Sequence, residues 1–227
     1  MFCIRVVDEE MMSKFLDVPR KEAPLTKSDL SKLVKISRFA PRICMTDFSS
    51  VGDESVKGTF YRDLLHNQFH CRGGLYIEGT ITEEKFAFLR TQLDQDFLTS
   101  LTVPEELLSN ERWLHVLFTH FFKGNRFRQI NLRELKQLDD KFVQIMRIWA
   151  SCASPQGIEK KVFVKDGVFY EEFHDDLNVR TVDLDKNTVE VTAHLPENPS
   201  RVVQWKQFRN NERHWCRESL ELEFVEI

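Results

Sequence analysis

The chain has 227 residues and a formal net charge of −4, with 32 lysines and arginines against 36 aspartates and glutamates. Hydrophobic residues make up 41% and charged residues 30% of the sequence, with only 8 glycines and 7 prolines. These values are typical of a globular chain with a sizeable core, and they exclude a collagen-like or mainly disordered protein. The net negative charge also disfavours electrostatic binding of nucleic acid by the chain as a whole, although a local basic patch could still bind it.

The first 42 residues predict a helical segment. Residues 9–16 and 28–39 have helical patterns and are separated by prolines, which interrupt helices. Such a segment would form the N-terminal cap that a repeat array needs. A weaker first repeat would follow, with a strand at residues 43–45 and a helix at residues 56–65.

Three later segments share an acid, base, aromatic pattern that predicts a repeated helix. Their aromatic anchors, Phe86, Trp113 and Phe142, lie 27 and 29 residues apart. Apolar residues follow each anchor at helical spacing, as expected for an amphipathic helix with one buried face. These residues are Leu89, Leu93, Val116, Leu117, Phe121, Ile145, Met146 and Trp149. Thr82 and Ser109 are natural N-caps for the first two helices.

A short apolar–x–apolar stretch precedes each helix, and a fourth follows the third. The four stretches are residues 75–77, 101–103, 130–132 and 162–164, and each has the period of a strand with one buried face. Strand, loop and helix recurring every 26–32 residues predict a leucine-rich-repeat-like βα solenoid over residues 43–170. An ordinary α/β sheet with coincidental spacing is the alternative.

The last part of the chain, residues 171–227, predicts an antiparallel β cap. Residues 179–184 and 188–192 read as the two strands of a hairpin, and residues 219–227 as a final strand. The fold expected is therefore α/β, a βα solenoid with an N-terminal helical cap and a C-terminal antiparallel β cap that extends its sheet.

The five cysteines indicate a reducing, intracellular setting. Cys3, Cys44, Cys71, Cys152 and Cys216 are odd in number and form no C-x-x-C pair, which disfavours a disulfide framework or a four-cysteine zinc site. The N-terminus lacks the apolar run of a secretory signal, and no stretch approaches 18 apolar residues. We therefore expect a cytoplasmic or nuclear protein with no membrane partner.

The sequence contains no G-x-S-x-G, Walker or G-x-G-x-x-G motif, so we expect neither catalysis nor a cofactor. His66, His70 and Cys71 form an H-x-x-x-H-C string, but no acidic partner lies in register with it. His174, before two aspartates, has the surroundings of a polar turn. Structural or surface roles are favoured for these histidines, and no metal is expected.

The middle residues of the four predicted strands should face away from the helices. An aromatic and polar ladder on a rigid sheet surface suits protein recognition, although these positions could simply tolerate solvent. The candidate partner-binding residues are Tyr76, Thr102, Asn131, Arg133 and Phe163.

A basic stripe near the C-terminus is the second candidate site. Its members are Lys206, Arg209, Arg213 and Arg217, with Trp205, Phe208 and Trp215 interleaved. Their spacing of 3, 4 and 4 is helical, and basic residues beside aromatic ones can hold single-stranded nucleic acid. The alternative is an amphipathic helix or loop whose aromatic side chains pack into the core, with its arginines solvated.

The helical lead-in, the strands that read LYIEG and SLTV, and the tryptophan-containing tail with its Leu-Glu-Leu-Glu-Phe strand resemble nematode F-box-associated, FTH-like proteins over residues 28–227. The resemblance implies degenerate repeats behind an F-box, of which residues 25–38 would be the second half. It further implies a substrate receptor of a cullin–RING ubiquitin ligase, bound through a Skp-type linker. We therefore expect a non-enzymatic protein-interaction module, with a nucleic-acid-associated protein as the alternative.

Overall fold

The computed structural model of the chain describes residues 3–6, 43–46, 61–62, 64–66, 68–71, 73–77, 80–132, 139–153, 158–165, 176–186, 188–208 and 219–226. The chain divides into two compact units, residues 1–106 and 107–227. Each unit combines helices with paired strands, so the fold is mixed α/β, as expected. The finer division into segments 1–42, 43–170 and 171–227 stays a prediction.

The first unit begins with a strand pair. Strand β1 (Cys3–Val6) pairs antiparallel with β2 (Ile43–Thr46). The sequence analysis predicted a strand where β2 lies but none at β1. Ile4, Arg5 and Val6 of β1 nevertheless have the apolar–x–apolar pattern from which the other strands were predicted. The helices predicted at residues 9–16 and 28–39 lie outside the described residues.

A parallel βα unit completes the first unit. Strand β3 (Gly73–Tyr76) leads through helix α1 (Glu83–Asp94) to β4 (Leu98–Thr102), which pairs parallel with β3. Thr82 is the N-cap of α1, as predicted, and its Oγ1 accepts a hydrogen bond from the Lys85 amide at 3.3 Å. A hydrogen bond from the helix backbone lowers the pKa of Glu84 in the first turn.

The core of the first unit joins α1 to the residues before β3. The rings of Tyr61 and Phe69 lie 5.6 and 6.1 Å from that of Phe88, measured between centroids. Gln92 is buried, and its side-chain amide accepts from the Cys71 N–H at 2.7 Å and donates to the Phe69 carbonyl at 2.8 Å. One buried side chain thus satisfies two backbone groups of the loop that enters β3.

The glycine pair at the start of β3 has a structural role. Gly73 has a φ of 118°, which side chains other than glycine rarely adopt. A Cβ on Gly74 would lie 3.0 Å from the Ser100 hydroxyl, and the register of β3 against β4 shifts between the two glycines. The backbone conformation therefore favours glycine at position 73, and a side chain at position 74 would require the Ser100 hydroxyl to move.

The described residues of the second unit form two helices and six strands beyond a short leading helix. Helix α2 (Glu105–Ser109) includes the boundary between the units. The following elements are α3 (Glu111–Lys123), β5 (Gln129–Leu132), α4 (Asp139–Ser151), β6 (Lys160–Lys165), β7 (Asn178–Asp183), β8 (Thr188–His194), β9 (Arg201–Phe208) and β10 (Ser219–Glu226). Their strand order is β5-β6-β10-β9-β8-β7, with β5 and β6 parallel and every other pair antiparallel.

The hairpin of β7 and β8 and the final strand β10 confirm the antiparallel C-terminal end. Two details were wrong. Asn110, not Ser109, is the N-cap of α3, and its Oδ1 accepts from the amides of Arg112 and Trp113 at 3.1 and 3.3 Å. Residues 205–208 belong to β9 rather than to a helix. The basic spacing concealed a strand alternation in which Val203 and Trp205 are buried whereas Gln204 is half-buried and Lys206 exposed.

Burial follows the predicted alternation in the strands. Leu75, Ile77, Ile130, Leu132, Val162 and Val164 are buried, whereas Tyr76, Asn131 and Phe163 between them are half-buried. The aromatic anchors Phe86, Trp113 and Phe142 are buried as well. The side-chain orientation in these strands therefore matches that inferred from the sequence, because alternate residues of a strand face opposite sides of the sheet.

Aromatic rings form the core of the second unit. Phe122 of α3 is fully buried, and its ring lies 4.8 Å from that of Trp149 in α4 and 5.0 Å from that of Phe224 in β10. Phe121 lies 5.1 Å from both Phe122 and Phe127. Through these contacts both helices pack against one face of the sheet.

Replacement of Phe122 by alanine should lower the free energy of unfolding by about 3–5 kcal/mol, because the cavity would remove contacts with two helices and a strand. His115, exposed on the same helix, provides the control. Its replacement by alanine should change the stability by less than about 0.5 kcal/mol. Urea unfolding followed by tryptophan fluorescence measures both, and similar losses for the two variants would contradict the packing described.

Candidate functional site

The sheet of the second unit has two unlike faces. Trp205 and Phe224 lie on the face that packs against α3 and α4. The opposite face, called the outer face below, carries half-buried and exposed side chains, with Val202 as a buried exception. Its members in the described strands include Asn131, Phe163, Glu221, Gln204 and Thr192.

The strand register aligns a polar row across all six strands of the outer face. Residues directly opposite one another on neighbouring strands are, in order, Gln129, Lys161, Glu223, Gln204, Thr192 and Arg180. Two shorter sets of opposite residues are Asn131, Phe163 and Glu221 on β5, β6 and β10, and Lys206, Glu190 and Val182 on β9, β8 and β7. Opposite residues lie close enough for their side chains to interact, so the six-residue row forms a continuous surface.

Lys161 is held between two carboxylates at the centre of this face. Its Nζ lies 2.7 Å from Glu221 Oε1 and 2.8 Å from Glu223 Oε1, with Glu159 more distant at 4.0 Å. Hydrogen bonds to Glu221 and Glu223 raise the pKa of Lys161 above its ordinary value. The ammonium group therefore stays charged at neutral pH and fixes both glutamates, which leaves the three-residue cluster with one net negative charge.

Phe163 is the aromatic member of the outer face. It is half-buried and lies directly opposite Asn131 on β5 and Glu221 on β10. The same β10 glutamate binds Lys161, so the charged cluster and the aromatic ring form one surface. Aromatic side chains that are already partly desolvated are common anchors of protein interfaces.

The remaining predicted partner-binding residues separate by unit. Tyr76 and Thr102 lie opposite each other on β3 and β4 of the first unit, and both are half-buried. Asn131 and Phe163 form the corresponding pair in the second unit. Arg133 lies outside the described residues.

The predicted basic stripe is only partly described. Lys206 is exposed on the outer face, where it lies opposite Glu190, and Arg209, Arg213 and Arg217 are outside the described residues. Trp205 points to the other side of the sheet, is 5% exposed and packs its ring edge-on to Phe142 at 6.2 Å. Trp205 therefore belongs to the core and does not share a surface with Lys206.

The histidines and cysteines do not converge on a metal site in the part of the chain that the structure describes. His66 is exposed, whereas the half-buried His70 packs edge-on to Phe97 at 6.2 Å and Cys71 is buried. His174 lies outside the described residues. Burial raises the pKa of the Cys152 thiol, which favours the unreactive protonated form.

The cluster of Lys161, Glu221 and Glu223 was not found from the sequence. The signal present in the sequence is the alternation of glutamate with leucine in the last strand, since alternate residues of a strand lie on one face. Their partner could not be named, because the sequence does not show that β10 inserts beside β6.

No family model matches the chain, and no curated protein matches it. Within the described residues, no helix has the length and apolar character needed to cross a membrane. The inference of function therefore depends on the outer face, its charges and its aromatic residue.

Replacement of Lys161 by methionine should lower the free energy of unfolding at neutral pH by about 0.2–1 kcal/mol, as for other partly exposed ion pairs. Because folding raises the pKa of Lys161, its contribution is complete below the ordinary lysine value of 10.5 and is lost as the pH rises above it. Urea unfolding of the original chain and of the Lys161→Met variant, at neutral pH and at a pH above 10.5, measures the difference in their free energies of unfolding. This difference should be smaller at the higher pH.

The control is Lys206→Met, which removes the same charge from the outer face without touching Glu221 or Glu223. Its effect on stability should be smaller at neutral pH. A Lys161→Met effect that is absent at neutral pH, or that grows in alkali, would contradict the ion-pair cluster.

Proposed function

We propose that the chain is a non-enzymatic protein-interaction module whose partner binds the outer face around Phe163. The supporting observation is the half-buried aromatic ring beside a lysine held by two glutamates. The charged side chains are fixed before binding, so less conformational entropy is lost when a partner orders them. An interface of this kind needs one apolar anchor with a polar surround, and Phe163 and its neighbours supply both.

The charges indicate the chemistry of the partner. Lys161, Glu221 and Glu223 together carry one net negative charge, and Glu159 adds to it at 4.0 Å from the lysine. A partner that places an apolar side chain on Phe163 and a basic side chain near the glutamates would be complementary. An acidic partner would meet two fixed carboxylates at the centre of the interface.

The repeat architecture is part of the same proposal. In the first unit β3 and β4 are parallel and joined through α1, and in the second unit β5 and β6 are parallel and joined through α4. Two such βα units of similar length support a leucine-rich-repeat-like array. The antiparallel pairing of β10 with β6 supports the proposed C-terminal cap.

The cellular role that we propose is substrate recognition for a cullin–RING ubiquitin ligase inside the cell. This role depends on the resemblance to F-box-associated proteins and not on the outer face. It requires that the chain co-purify with a Skp-type linker, and that deletion of residues 1–42 abolish this association. Association that persists after the deletion would contradict the F-box assignment.

A nucleic-acid-associated protein is the alternative, supported by the exposed side chain of Lys206. The burial of Trp205 removes one of the expected stacking partners, and Glu190 lies opposite Lys206. Binding to single-stranded RNA that weakens steeply with added salt would favour this alternative.

Replacement of Phe163 by alanine should reduce the capture of protein partners by about 30-fold or more, since aromatic hot spots contribute 2 kcal/mol or more. Quantitative affinity capture with mass spectrometry compares the variant with the original chain. The far-ultraviolet circular dichroism spectrum should not change, because the ring lies outside the helix-packed core.

His115→Ala, an exposed change on α3, is the control and should leave capture unchanged. Glu221→Lys should also reduce capture, because it reverses the charge beside Phe163. If the Phe163→Ala and Glu221→Lys variants both captured protein partners as well as the original chain does, the outer face would be excluded as the binding surface.

A further inference from the structure

Arg201 shows how this chain holds a guanidinium group of its own. The guanidinium carbon lies 4.9 Å from the centre of the Trp149 ring, and Nε lies 3.7 Å from Oε1 of Glu226. Arg201 on β9 and Glu226 on β10 lie directly opposite each other in the strand register. An aromatic face and a carboxylate thus bind one arginine together, because the flat cation stacks on the ring while its edge pairs with the carboxylate.

The outer face presents the same two groups side by side. Phe163 on β6 is half-buried and lies directly opposite Glu221 on β10. Side chains of opposite residues lie on the same face of the sheet and within reach of each other. Among the described residues, the rings that have a cation over them are Tyr61, Phe121 and Trp149. The Phe163 ring is not one of them, so a cation from a partner can stack on it.

The carboxylates beside Phe163 can accept a second cation. Lys161 binds Oε1 of both Glu221 and Glu223, and the side chains of these glutamates are still 40% and 43% exposed. A carboxylate can accept about four hydrogen bonds, so one ammonium group leaves each of them able to accept more. With Glu159, three carboxylates lie within 4.0 Å of one ammonium group. The net charge of the cluster therefore remains negative after one further cation has bound.

We propose that the partner recognised by the outer face contributes an arginine side chain, whose guanidinium stacks on Phe163 and pairs with Glu221. This proposal rests on the function proposed above and names the group that its binding surface recognises. One arginine meets both requirements of that surface. Its aliphatic stem supplies the apolar contact, and its head supplies the positive charge.

Arginine fits this surface better than lysine does. A guanidinium is planar and weakly hydrated, so it can lie on a ring and pair with a carboxylate through two N–H groups. A lysine ammonium is compact and strongly hydrated, and Lys161 already holds the position in which an ammonium group contacts both Glu221 and Glu223. The outer face therefore discriminates between the two cations by shape as well as by charge.

The test uses three acetylated five-residue peptides that differ only in the central residue, which is arginine, lysine or citrulline, the neutral analogue of arginine. Binding to the full-length, isotope-labelled chain is followed by the shifts of backbone amide signals in nuclear magnetic resonance spectra. The arginine peptide should shift the signals of Phe163 and Glu221. The lysine peptide should bind about fivefold more weakly, because it loses stacking and two-point pairing, and the citrulline peptide about tenfold more weakly, because it loses the charge.

Two variants separate the arginine contact from a merely apolar or acidic surface. Phe163→Leu keeps an apolar side chain but removes the aromatic face, so the preference for arginine over lysine should be lost. Glu221→Gln keeps the size of the side chain but removes its charge, so the arginine peptide should bind about tenfold more weakly. Glu190→Gln, which removes the same charge from β8 on the outer face, is the control and should bind the arginine peptide as the original chain does. Circular dichroism confirms that each variant is folded.

An arginine peptide that binds no more tightly than the lysine peptide, or that shifts no signal of the outer face, would overturn this proposal. The capture experiment with Phe163→Ala separates this failure from that of the proposed function. If capture falls while the peptides bind equally, the outer face binds a protein through a group other than arginine. If the arginine peptide binds selectively while capture is unchanged, the arginine site is confirmed and the proposed interaction function fails.

Discussion

The packing of Phe122 against Trp149 and Phe224 determines the architecture of the second unit. These residues come from α3, α4 and β10, which are far apart in the sequence, and their rings lie 4.8 to 5.9 Å from one another. All three rings are almost fully buried. Because this cluster holds both helices on the same side of the sheet, the polar outer face remains on the other side.

Two cations secure the ends of these helices. Lys160 is 1% exposed and donates to the carbonyls of Gly124 and Phe127 beyond α3, the latter at 2.6 Å. Arg201 donates to the carbonyls of Trp149 and Cys152 at the end of α4, whose last turn has no basic residue of its own. Cations at a helix C-terminus donate hydrogen bonds to carbonyls that lack a partner within the helix, and they interact favourably with the negative end of the helix dipole.

The positions of these cations couple the helices to the strands. Lys160 is the first residue of β6, and Arg201 is the first residue of β9, with its guanidinium 4.9 Å from the centre of the Trp149 ring. Each strand thus fixes a helix end that is 33 to 52 residues away in the sequence. These contacts hold the sheet rigidly against the helices. Lys161 and Phe163, which follow Lys160 in β6, therefore keep fixed positions on the outer face.

Local patterns predicted the parts of the fold that depend on local forces. The sequence predicted the period of two in β3, β5 and β6, the amphipathic spacing of the three helices and the Thr82 cap. It also predicted the outward positions of Asn131 and Phe163. It did not predict which distant strands pair. Lys160 and Lys161 are adjacent and identical, yet one is buried against carbonyls and the other lies on the outer face.

The same limit explains what was missed in the candidate site. Glu221 and Glu223 become partners of Lys161 only because β10 lies between β6 and β9. Likewise, the basic spacing around Lys206 suggested a helix, but the pairing of β9 with two neighbours requires a strand there. Tertiary contacts decided both cases, as they commonly do for residues with weak local preference.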